Sequence, residues 1–214
     1  MAPRRDAEAS RGLRETREKR DGAIRAFIAI ELDDAVRSAV AEVVRVLRES
    51  PGGARVRWVR PENLHVTLRF LGDIDPVRVP AIVRNLRDAT VGLRPFQLGL
   101  GGVAAFPSAR RPRVVSCEVG PGEPLAQLAE AVEQAVVQAG CEPEERRFRA
   151  HLTLGRVSGR AHPVVTTPVT AMGESLVVNE IVLFHSELLR SGAIHTPLER
   201  IALGGLDHPE TQAF

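Results

Sequence analysis

Two cysteines, Cys117 and Cys141, are all that the 214 residues contain. They are too few and too isolated for a disulfide scaffold, and no Cys-x-x-Cys or His-Glu-x-x-His spacing offers a zinc site. Two reduced, mostly buried thiols and no metal are therefore expected. Lysine is nearly absent: Lys19 is the only one, so positive charge rests on arginine, whose guanidinium can grip phosphate with two parallel hydrogen bonds. A GC-rich coding bias, suggested by the wealth of Ala, Gly, Pro and Val, would produce the same excess. The net charge of +2 is too small to argue by itself for a large nucleic-acid footprint. No run approaches the ~18 apolar residues of a membrane span, and the N-terminus is charged where a secretory signal needs an apolar stretch. No membrane contact and a cytoplasmic location are expected. No glycine-rich phosphate loop follows a strand, which disfavours a doubly wound nucleotide-binding fold.

What is present suffices for a core, since 43% of the residues are hydrophobic. Residues 1–22 mix arginines with acids and hold almost nothing apolar, so a disordered tail is expected there, with a second short tail over 207–214. Between them, 23–206 reads as one domain. Strands are expected over 24–32, 56–59, 64–71, 96–103, 113–119, 148–157, 176–189 and 198–203. Helices are expected over 36–50, 76–89 and from Pro124 to Gly140, the first carrying Val36, Val40, Val44 and Leu47 at helical spacing behind Asp33 as a cap. Strands and helices alternate with hairpins, which points to an α+β fold with mainly antiparallel sheets.

One pattern, His-x-Thr-Leu, occurs twice, in His65-Val66-Thr67-Leu68-Arg69-Phe70 and in His151-Leu152-Thr153-Leu154-Gly155-Arg156. In an extended strand, His and Thr two apart share one face while Val66, Leu68, Leu152 and Leu154 point to the other. Each copy thus offers an imidazole and a hydroxyl backed by an apolar core. The economical reading is two similar half-domains whose strands face each other across a cleft, with two histidines able to trade protons around one substrate.

The pair His-x-Thr-x-x-Phe and His-x-Thr-x-x-Arg resembles the two-histidine (2H) phosphoesterases, and among them the bacterial and archaeal RNA 2′,3′-cyclic phosphodiesterases, which are 2′-5′ RNA ligase-like. The resemblance extends through Arg25-Ala-Phe-Ile-Ala-Ile-Glu-Leu, Trp58-Val-Arg-Pro-Glu-Asn-Leu-His, Phe148-Arg-Ala-His and Ser186-Glu-Leu with Gly192 after it, roughly residues 24 to 204. It implies a bilobed fold of duplicated antiparallel sheets with outer helices, related by a pseudo-twofold around a central cleft. It further implies His65 as general acid, His151 as general base, Thr67, Thr153 and Arg156 as phosphate contacts and Phe70 as a stacking partner for the base. The implied partner is RNA ending in a 2′,3′-cyclic phosphate, or a cyclic nucleotide, with no cofactor. A monomer without an obligate protein partner is expected. Relatives often carry a tyrosine near the C-terminus; this chain has no tyrosine and shows His195.

The chemistry fits the residue types. Opening a cyclic phosphate with water needs a proton removed from the nucleophile, one given to the leaving ribose oxygen, and donors aimed at the non-bridging oxygens; imidazole serves the first two and the threonines with Arg156 the third. Reversible 2′-5′ ligation, action on another cyclic nucleotide, and RNA-end binding without catalysis stay open as alternatives. Strict alternation puts Phe70 and Arg156 on the face opposite the histidines, so both reach the cleft only if the strands bulge or twist, which Gly72 and Gly155 would permit. For Phe70, core packing and base stacking are equally open. Trp58 reads as core or cleft rim, Arg60 and Arg69 as solvated or RNA-contacting, Arg113 as a candidate for the phosphate track, and His185 as structural. His162 and His208 fall in polar loops with no catalytic part expected.

Overall fold

The structure is a computed structural model that describes residues 22–108, 111–120, 122–158, 173–190 and 192–205. The expected tails over 1–22 and 207–214 lie outside the described residues apart from Gly22, as do His162 and His208.

Among the described residues, nine strands form one antiparallel sheet: β1 (Ile24–Glu31), β2 (Val56–Trp58), β3 (His65–Ile74), β4 (Phe96–Phe106), β5 (Val114–Gly120), β6 (His151–Val157), β7 (Ser175–Val178), β8 (Glu180–Leu189) and β9 (Gly192–Ala202). Their order is β7-β4-β5-β6-β3-β1-β8-β9, with β2 added to β6. The two motif strands, β3 and β6, are neighbours at the centre, and three further strands extend outward from each. This is the duplicated α+β arrangement expected.

One stretch departs from expectation. Residues 176–189, read as one strand, are two that break at Asn179: β7 pairs with β4 in one half, and β8 pairs with β1 in the other. Six strand spacings separate β7 from β8 along the sheet, roughly 29 Å if it were flat, yet a single residue links them. The sheet therefore curls until its ends approach, and Leu203 N donates to Asn179 O (2.7 Å) at that seam. The last strand is also longer than the expected 198–203. It starts at Gly192 despite Pro197, which an edge strand tolerates because its outer N–H groups need no partner.

Three α-helices among the described residues cover one face: α1 (Asp34–Glu49), α2 (Val79–Thr90) and α3 (Gly122–Gln138). Asp33 Oδ1 accepts from Val36 N at 2.8 Å and caps α1. Val36, Val40, Val44 and Leu47 of α1, Ile82 and Leu86 of α2, and Leu125, Leu128, Val132 and Val136 of α3 join a single core with the sheet residues beneath. β1 is buried on both sides, which is why it reads as an unbroken apolar run. Ala26, Ile28 and Ile30 join that core, whereas Phe27 and Ala29 form a second, smaller cluster with Val182 and Phe184 on the other face. The motif side chains emerge on that second face, beside the smaller cluster. Among the described residues, no helix is long and apolar enough to cross a membrane.

Candidate active site

Val66 of β3 lies opposite Leu152 of β6, and both are fully buried in the main core. One step either side of that pair, antiparallel geometry sets Thr67 beside His151 and His65 beside Thr153, all on the opposite face. The four side chains line one cleft of about 630 Å³. The sequence repeat thus becomes a local twofold in space, with imidazoles on one diagonal and hydroxyls on the other.

The imidazoles are held alike. His65 Nδ1 lies 2.8 Å from the Asn63 carbonyl oxygen, and His151 Nδ1 lies 2.8 Å from that of Arg149. A carbonyl can only accept, so Nδ1 carries the hydrogen in each neutral ring and Nε2 remains for a substrate. Asn63 also donates through Nδ2 to Ala193 O (2.8 Å), which ties the start of β9 to the motif strand. Both supports are backbone carbonyls two residues before the histidine, which any residue would supply, so no side chain signals them in the sequence.

The face of Phe70 and Arg156 is decided by two matched bulges. Along β1, Ile28 pairs with Arg69 and Ala29 with Thr67, leaving Leu68 as an extra residue; along β5, Val115 pairs with Gly155 and Ser116 with Thr153, leaving Leu154 extra. An extra residue reverses the alternation beyond it. Phe70 and Arg156, each five residues after its histidine, therefore join the cleft lining. Core packing does not hold for Phe70, which is 53% exposed with its centroid 6.0 Å from that of Phe27. The same reversal sends Arg69 to the helix face, where it pairs with Glu133 of α3 and donates to the Phe70 and Glu142 carbonyls. Gly72 takes φ +69°, as a left-handed turn requires. Gly155 serves a different end: a Cβ there would lie 2.5 Å from Val56 Cγ1 and 3.2 Å from Arg57 O, so glycine lets β2 close against β6.

His65 stands in an aromatic surround, with ring centroids 4.8 Å from Phe27, 6.4 Å from Phe184 and 5.4 Å edge-on to His195. Burial pushes its pKa down from 6.5 to about 4, against the opposing pull of the Asn63 carbonyl and with smaller contributions from His195 and His151. His65 is therefore neutral in the free protein at pH 7. His195 joins the cleft lining with a buried Nδ1 that has no partner, and burial lowers its pKa as well. Its placement followed from β9 reaching further back than the expected strand.

Arg25, Arg57 and Arg60 line the cleft together with Arg156, and Trp58 forms part of its wall while its Nε1 donates to Gly53 O at 3.0 Å. Arg113 and His185 do not line it; His185 pairs across to Ala26 and so shares the helix face. Among the described residues, no group of three or more His, Cys, Asp or Glu is arranged to hold a metal ion.

Comparison with known proteins agrees with this geometry. The family model described as LigT like Phosphoesterase matches residues 30–116 and 118–195. An RNA 2′,3′-cyclic phosphodiesterase of Methanothermobacter thermautotrophicus is 34% identical over 183 residues, covering 82% of this chain and 97% of that one. One of Archaeoglobus fulgidus is 35% identical over 180 residues, covering 82% and 98%. The crystal structure of TT0787 of Thermus thermophilus superposes with a TM-score of 0.74 at 30% identity, covering 85% of this chain and 99% of that one. That of Escherichia coli LigT in apo form gives 0.71 at 28% identity, covering 85% and 98%. With the repeated motif, the central pairing of its two strands and a family match spanning most of the sequence, the chain belongs to the LigT-like phosphoesterase family.

Proposed function

We propose that the chain hydrolyses RNA 2′,3′-cyclic phosphate ends to 2′-phosphomonoesters, with His65 as general acid and His151 as general base. The observation that carries this reading is the pair of imidazoles on one twofold diagonal, each with Nδ1 tied to a carbonyl and Nε2 open to the cleft. In the reaction, His151 takes a proton from water as its oxygen bonds to phosphorus. The bond from phosphorus to O3′ breaks, and His65 gives its proton to O3′. Thr67, Thr153 and Arg156 direct donors at the non-bridging oxygens, and Phe70 stacks on the terminal base. Each general acid or base of this kind contributes on the order of 10²- to 10⁴-fold in rate.

Burial holds His65 neutral in the free protein, so its role as acid depends on the substrate. An anionic phosphate between the rings favours the imidazolium of His65, and the proton needed for O3′ arrives with binding. The side chains in hand cover proton removal, proton delivery and charge stabilisation, so the reaction proceeds in this reading without a cofactor, on RNA ends, by a monomer in the cytoplasm.

Phosphorus NMR of an oligoribonucleotide ending in a 2′,3′-cyclic phosphate tests the proposal. Incubation with the protein in a chelating buffer is expected to replace the cyclic phosphate resonance with that of a 2′-monoester. A 3′-monoester product, or turnover that stops in chelator and returns with one added divalent ion, would overturn it.

A further inference from the structure

Phe106 ends β4 and is 53% exposed, outside the lining of the cleft. The register carries it into the site's own row. Phe106 pairs with Val114, Val114 with Arg156, and Arg156 with Arg57. Directly paired residues present their side chains on the same face. Arg156 and Arg57 line the cleft, so Phe106 stands on the cleft face two strand spacings from Arg156, roughly 10 Å away.

Val114 and, two pairs further along on the same face, Ala104 and Ser116 are only partly buried and form the floor between them, and Ser116 in turn pairs with Thr153 of the phosphate site. At the far end of this floor the Arg149 guanidinium lies 5.8 Å from the Phe106 ring centroid. An aromatic ring with a guanidinium beside it is the pairing that single-stranded nucleic acids meet in their binding grooves, where the ring stacks on a base and the cation attracts phosphate. Phe70 takes the terminal base on the β3 side in the reading above, so the β4 and β5 side is open to the next nucleotide.

We propose that Phe106, with Arg149, binds the nucleotide 5′ to the one that carries the cyclic phosphate, which makes oligonucleotides better substrates than nucleoside 2′,3′-cyclic monophosphates. This rests on the cyclic phosphodiesterase reading. The ring contributes to binding of the longer substrate and touches none of the reacting atoms.

The test is the ratio of kcat/KM for a dinucleotide ending in a cyclic phosphate to kcat/KM for the matching nucleoside cyclic phosphate, measured for wild type, Phe106→Ala and Phe106→Trp. Loss of one base-stacking contact is expected to lower the ratio about 5- to 150-fold in Phe106→Ala, chiefly through KM, and the tryptophan is expected to restore it. A ratio in Phe106→Ala equal to that of wild type would overturn the inference. Hydrolysis of neither substrate by wild type would overturn the cyclic phosphodiesterase reading itself, and this inference with it; the two failures are therefore distinguishable.

Discussion

His65→Ala and His151→Ala are each expected to lower kcat for a cyclic-phosphate oligonucleotide by about 10²-fold or more, with the fold retained. Each ring is one of the two proton carriers that flank the phosphate in this reading, and the threonine hydroxyls beside them titrate far outside the working range. The strands do not depend on the imidazoles: Val66, Leu68, Leu152 and Leu154 anchor β3 and β6 in the core, so circular dichroism and the thermal midpoint should change little. Because the two act on one phosphate, the double variant should lose little more than either single one. A second substrate separates the roles. With a p-nitrophenolate leaving group, which needs no proton, His65→Ala should recover much of its rate and His151→Ala should not. A His65→Ala protein that turns over the natural substrate at close to the wild-type rate would refute the acid assignment.

Arg156→Ala is expected to cost about 10²- to 10³-fold in kcat, the effect of losing one preorganised donor to a developing anion. The bulge at Leu154 delivers this guanidinium to the cleft, and Gly155 keeps β2 close behind it. Arg156→Lys keeps the charge but not the two-pronged geometry, so it should recover only part of the loss. Phe70, at the equivalent place in the other motif, gives the contrast. Phe70→Ala should act mainly on KM, because stacking is shared by the bound substrate and its transition state. Steady-state kinetics with both constants resolved checks the pair. A kcat for Arg156→Ala within twofold of wild type would show that the bulge brings the guanidinium to the cleft for some other purpose.

Local pattern alone carries a reader far into this fold. Alternating His-x-Thr strands, valines at helical spacing in α1 and the hairpin of β4 with β5 are short-range signals, and each of these elements forms within a few residues of where the pattern puts it, β4 running on past the expected 103 to Phe106 and β6 starting at His151 instead of 148. What stays hidden is non-local. Alternation places Phe70 and Arg156 on the wrong face, and only the pairing with β1 and β5 reveals the extra residues Leu68 and Leu154 that correct it. Likewise, nothing in the apolar run around Asn179 distinguishes one strand from two, because the break is set by which side of a curled sheet each piece joins. Gly155 reads in sequence as freedom for the backbone, yet it is a space for Val56. His195 stands out in sequence as a departure, but its approach to His65 follows from the pairing of β9 with β8, which places it opposite Ser186.

The central claim is that two histidines, one held neutral by burial, work as a pair on one phosphate. The dependence of kcat/KM on pH tests it most directly, since that quantity reports the ionisations of the free protein. Activity requires one ring charged and one neutral, so the profile should be bell-shaped, with both limbs belonging to the pair. Below the acid limb both rings are protonated, no base remains, and the rate should fall tenfold per pH unit. Because burial carries His65 down to about 4, that limb is expected near pH 4, well below the ordinary histidine value of about 6.5. An acid limb near 6.5, or a rate that climbs without limit into alkaline solution as hydroxide attack would produce, would contradict the account.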